Sequence, residues 1–121
     1  MTEYFFDTYA IIEITLNNKN YEKFKEKTLI TSILNIGELY MYHLKNYNKK
    51  TADYWNRIIT PRLIEIDNKV VTEAMLFRLK HKKADMSLVD CIGYVIALRH
   101  GLKFLTGDMQ FKGLSDVEYV K

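Results

Sequence analysis

Apolar residues along this chain switch repeatedly between short runs and helical spacings. Tyr4-Phe5-Phe6 is a brief aromatic run of strand character, and Ala10, Ile11 and Ile14 then recur at the interval of a helix over Thr8 to Leu16. A polar break at Asn17-Asn18 precedes a short charged helix over Tyr21 to Lys27, and the β-branched run Thr28 to Ile33 suits a buried strand. A helix is expected from Ile36 to Lys45, followed by a polar, basic loop over Asn46 to Thr51. Trp55, Ile58 and Ile59 share a stripe of the next helix, Ala52 to Thr60, which Pro61 ends. Leu63 to Ile66 reads as a strand, and Val70, Ala74 and Phe77 mark a helix over Asn68 to Lys82. Val89, Ile92, Val95 and Ile96 mark another over Ser87 to His100, with Gly101 placed to stop it. Lys103 to Thr106 and Val117 to Val120 are the last strands. Strands alternating with helices predict an α/β fold, a parallel sheet covered on both faces.

That order of elements has a chemical consequence. Asp7 follows the first strand, Asp108 follows the Lys103 to Thr106 strand, and Glu38 lies early in the helix after the second strand. In a doubly wound sheet, strand C-termini and the helix N-termini that follow them share one edge, so topology gathers these three carboxylates. Asp90 opens a helix that follows another helix, and the pattern alone does not place it there. Each acid also has a purely structural reading. Asn35-Ile36-Gly37-Glu38 and Ser87-Leu88-Val89-Asp90 have capping-box spacing, Leu34 and Leu39 are placed for a hydrophobic staple, and Asp7 can cap its own helix. Capping does not explain a converged group, because neighbouring carboxylates repel unless a cation neutralises them. All-oxygen ligation favours Mg²⁺ or Mn²⁺, and no Cys/His spacing matches a zinc site.

Composition narrows the picture further. A chain of 121 residues with 48% hydrophobic content makes one domain, spanning 1–121, and its net charge of +3 permits a polyanionic partner without demanding one. The single cysteine, Cys91, follows Asp90 on an apolar helix and reads as a small core residue. The start lacks the pattern of a secretory leader and no stretch is apolar enough to span a membrane, so a cytoplasmic protein without membrane partners is expected. His43, His81 and His100 are scattered and read as surface or helix-end residues. Lys45, Tyr47, Lys49 and Lys50 interleave cations with an aromatic, as a single-strand-binding loop does, and Lys80, Lys82 and Lys83 lead towards the helix bearing Asp90. Both runs also fit a solvated surface, and the second fits the negative end of a helix dipole.

The segments YFFDT, TSILNIGELY, SLVDCIGYVIALRHGLKFLTGD and VEYV resemble, in order and spacing, the conserved blocks of PIN domains over nearly the whole chain. The resemblance implies a three-layer α/β/α sandwich with a parallel central sheet. It makes Asp7, Glu38, Asp90 and Asp108 catalytic metal ligands and sets Thr8, Ser32 and Thr106 beside them as supporting hydroxyls. Gln110 stands where the family often carries a further acid, which removes a fifth ligand. Stand-alone chains of this length look like VapC toxins, which implies a homodimer that hydrolyses RNA and is restrained by a cognate antitoxin. The implied chemistry is in-line attack by water activated on one or two Mg²⁺ or Mn²⁺ ions, leaving 5′-phosphate and 3′-hydroxyl ends. An RNA-processing nuclease outside a toxin pair and a non-catalytic interaction module are the alternatives. A phosphoacceptor domain is disfavoured because it needs paired acids after the first strand, and an Asp-x-Asp phosphatase because Tyr9 fills the second position.

Overall fold

The computed structural model describes residues 1–121. Five parallel strands form one sheet: β1 (Tyr4–Phe6), β2 (Ile30–Thr31), β3 (Arg62–Leu63), β4 (Lys103–Thr106) and β5 (Val117–Tyr119), in the spatial order β3-β2-β1-β4-β5. The helices are α1 (Thr8–Thr15), α2 (Ile33–Asn46), α3 (Lys49–Ile58), α4 (Asn68–Lys80) and α5 (Leu88–Arg99). β1 is central, and the chain runs from it to one edge through β2 and β3 before returning to its other side as β4. The topological switch point therefore lies between β1 and β4.

Strand alternation sends successive side chains to opposite faces and builds two cores. Phe5, Ile30 and Phe104 join Val70, Ala74 and the buried side of α5 in one; Phe6 and Leu105 join Ala10, Ile11, Tyr21, Phe24 and Leu39 in the other. The expected three-layer α/β/α sandwich with a parallel central sheet is the observed one. α5 departs from the amphipathic expectation, because Cys91 to Ala97 are all buried between β1, β4 and α4. Gly93 lets it lie so close: a Cβ there would stand 2.7 Å from the Phe5 ring.

Several element boundaries move. The charged segment after α1 forms a 3-10 helix over Lys19–Phe24, and β2 is only Ile30–Thr31 because Ser32 caps α2 and Ile33 is already helical. The expected cap at Asn35 is thus displaced by one turn, and Leu34 is solvent-exposed rather than stapled to Leu39. The basic loop is shorter than expected, because Asn48 caps α3 and places Lys49 and Lys50 in its first turn. His43 is not a surface residue. It is buried, stacks on Trp55 of α3 at 6.1 Å, and sets Nε2 3.3 Å from Thr15 Oγ1, while its Nδ1 has no partner. Burial lowers its pKa, so it packs as a neutral ring that ties α3 and α1 to α2. No helix is long and apolar enough to cross a membrane.

Candidate active site

At the C-terminal edge of the sheet a cleft of about 680 Å³ is lined by Asp7, Glu38, Asp90 and Asp108 together. Asp7 leaves β1 in extended conformation and accepts from the Thr8 amide at 2.8 Å. Asp108 leaves β4 in the same manner and accepts from the Gln110 amide at 2.9 Å. Glu38 sits on α2 more than a turn beyond its cap, so it is free of capping duty. Asp90 completes a capping box with Ser87 at the start of α5. Its arrival has a simple cause. α5 feeds β4 through only His100, Gly101 and Leu102, so it must run antiparallel to the strands and begin at their C-terminal edge.

Thr8 and Thr106 link three of these acids, Asp7, Glu38 and Asp108, and Ser32 acts through Asn35. Thr106 Oγ1 donates to Asp7 Oδ2 at 2.7 Å and accepts from the Asp108 amide at 3.1 Å, joining the two strand ends across the switch point. Thr8 Oγ1 donates to Glu38 Oε1 at 2.6 Å and accepts from Asn35 Nδ2 at 3.0 Å. Asn35 Oδ1 in turn accepts from Ser32 Oγ at 2.6 Å, so Ser32 supports the cleft from beneath without lining it. Asn35 is wholly buried, whereas its spacing in the sequence marks it only as a cap. A signal for the larger role exists: a polar side chain one turn into a helix on the inward stripe needs buried partners.

Electrostatics set Asp7 apart. Burial first, then the negative charge of Asp90 and more weakly that of Glu38, raise its pKa to about 8 against the opposing bonds from Thr106 and Thr8. Burial likewise raises Glu38 and Asp90, with Asp90 acting on the first and Asp108 and Asp85 on the second. Lys45 is the only cation on the lining. Such a donor set, oxygen-rich and short of positive charge, fits a hard divalent cation. No three acid, histidine or cysteine groups close around a common point, so the four acids line the cleft without forming a ready-made cage. Cys91 is buried and burial pushes its thiol up to about 11, so it is inert, as expected.

The basic residues are divided. Lys45 reaches the cleft, joined there by Tyr9, Ile12, Met41, Tyr42, Asn46 and Met109, none of which stands out in the sequence as a site residue. Tyr47 is exposed at the end of α2, Lys50 is exposed on α3, and Lys49 pairs with Asp53 at 2.6 Å. Lys80 ends α4, and Lys82 and Lys83 occupy the turn behind it; Lys82 lines a separate cleft with Arg78, Asp85 and Met86.

A family model described as PIN domain matches residues 4–117. No curated protein matches the chain. Among solved structures, VapC20 of Mycobacterium tuberculosis, described as a Sarcin-Ricin loop cleaving toxin, is similar at 17% identity and a TM-score of 0.81, covering 98% of this chain and 100% of that one. VapBC2 of Rickettsia felis, bound to a DNA fragment from their promoter, is similar at 17% identity and a TM-score of 0.75, covering 99% and 100%. A toxin-antitoxin complex from Klebsiella pneumoniae is similar at 19% identity and a TM-score of 0.75, covering 96% of each chain.

Proposed function

Because the chain belongs to the PIN domain family, we propose that its carboxylate cleft is the active site of a metal-dependent endoribonuclease, the toxin of a toxin-antitoxin pair. The observation that carries the reading is Asp7, buried beside Asp90 and Glu38 with its pKa raised, in a cleft whose lining has one cation. An unneutralised group of this kind weakens the fold, and a site that binds a cation gives it a purpose. The toxin assignment and the antitoxin partner are supported by the likeness to the three toxin structures, and homodimer formation by the family resemblance.

Asp7, Glu38, Asp90 and Asp108 would hold Mg²⁺ or Mn²⁺, which when bound polarises phosphoryl oxygens and lowers the pKa of water for in-line attack on phosphorus. The chain's residues do the rest. Thr106 fixes the spacing of Asp7 and Asp108, and Thr8 with Asn35 and Ser32 keeps the Glu38 oxygens in place. The Ser87 box orients Asp90. The arrangement contains no activated side-chain nucleophile, so the carboxylates bind and orient rather than attack. The test is hydrolysis of RNA in Mn²⁺ or Mg²⁺ by wild type, Asp7→Asn and Asp90→Asn. Cleavage abolished in both folded variants supports the reading; background-level hydrolysis, equal in all three, would make the fold a non-catalytic interaction module.

A further inference from the structure

The cleft has two unlike kinds of surface. Against the four acids stand Tyr9, Ile12, Met41, Tyr42 and Met109. On α2 the lining residues Glu38, Met41, Tyr42, Lys45 and Asn46 fall at helical spacing and form one stripe. At about 1.5 Å per residue, Lys45 lies about 10 Å along the axis from Glu38. A ligand lying along this stripe meets carboxylates first, then apolar surface, then a cation.

That order is the chemical order of a nucleotide strand: a phosphate that needs a cation among the carboxylates, a flat base, and the next phosphate. Met41 and Met109 are 51% and 69% exposed, although both are apolar and both border a strongly acidic cleft. Thioethers adapt to and grip aromatic faces, and a tyrosine beside them supplies a stacking surface of its own. Tyr9 is braced from behind, because Gly107 lacks the Cβ that would stand 2.1 Å from its ring. The hydroxyl of Tyr42 stays protonated, since burial raises its pKa, and adds no negative charge to the wall.

Resting on the nuclease reading above, we propose that Tyr42 and Met41, together with Met109, form a stacking site for the nucleobase next to the scissile phosphate, and that Lys45 receives the following phosphate. Single-stranded RNA is the substrate class this arrangement takes, because a paired base cannot present its face to a side chain.

The experiment compares kcat/KM for a single-stranded RNA oligonucleotide of mapped cleavage position with versions made abasic, one nucleotide at a time, around that position. Wild type is expected to lose about tenfold or more on one abasic substrate, the order that one base-aromatic stack contributes. Met41→Ala and Tyr42→Ala should lose on the intact substrate yet show no further loss on that abasic one, a coupling that general structural damage does not produce. Met41 is exposed, so Met41→Ala keeps the test valid should Tyr42→Ala misfold. Lys45→Gln should lose activity equally on intact and abasic substrates. Cleavage of all substrates at one rate by wild type, with Asp7→Asn inactive, would overturn the stacking site and leave the wall to a protein partner. Undiminished cleavage by Asp7→Asn would instead sink the nuclease reading and the stacking site with it.

Discussion

Asp7 shows how a single side chain can be ill suited to the fold that holds it. Its carboxyl titrates near 3.8 in an unfolded chain and at about 8 in the fold. Between those values the unfolded chain has released a proton that the fold retains. The contribution of this carboxyl to stability is therefore full below pH ~4 and falls as pH rises, by at most about 1.4 kcal/mol per unit, levelling off above pH 8. Thermal unfolding in chelator should show Tm dropping across this range in wild type and dropping less in Asp7→Asn; parallel curves would show that Asp7 is not the cause. Adding Mg²⁺ or Mn²⁺ at pH 8 should restore wild type and leave Asp7→Asn largely unchanged, because a ligand stabilises only the state that binds it. Gly107 is the opposite case, a residue the packing around it requires. Gly107→Ala must displace both the Tyr9 ring and the Val120 carbonyl, which a Cβ would approach to 2.1 Å and 2.7 Å. A destabilisation of about 1–3 kcal/mol is expected in urea unfolding.

At the scale of elements, α5 carries the most consequence for the site. Ser87→Ala should cost about 1 kcal/mol of stability through removal of the cap. It also removes one of the two Ser87 hydrogen bonds that hold the Asp90 pKa down, so the variant should bind Mn²⁺ more weakly in calorimetry, and unchanged affinity would separate the cap from the site. Most elements were legible in the sequence because their apolar periods were long enough to show. The central strands stood out through aromatic and β-branched runs, and the Ser87 box through its spacing. What escaped was set by tertiary context. The start of α2 at Ile33 depends on Ser32 finding Asn35, a competition that local spacing shares with Asn35 and Glu38. The burial of His43 depends on α3 folding back to stack Trp55 on it. The position of Asp90 was readable after all, from the brevity of the connection to β4. The apolar wall was not, because Met41 and Tyr42 alone read as ordinary helix residues until α1 and the β4 loop stand beside them.

At the scale of the whole molecule, the cleft is locally acidic, with four carboxylates and one cation on its lining, and the other cations lie elsewhere. A polyanion approaching this surface meets Lys45 on the lining and the Lys80 to Lys83 run apart from it. Reversing Lys80, Lys82 and Lys83 to Glu should weaken RNA binding at low salt and flatten its salt dependence, by about one unit of logarithmic slope for each phosphate no longer neutralised. Identical salt plots would assign that run to the helix dipole alone. The hydrogen bond from Thr106 to Asp7 joins residues 99 positions apart, and β1 has no neighbour on that side until β4 is in place. Synthesis delivers Asp7 before α2, α5 and β4, so the switch point can close only after everything between β1 and β4 has been made. Until β4 has paired with β1, Asp7 stands without Thr106 and Asp108, so on the proposed reading the metal site is incomplete and the nuclease inert.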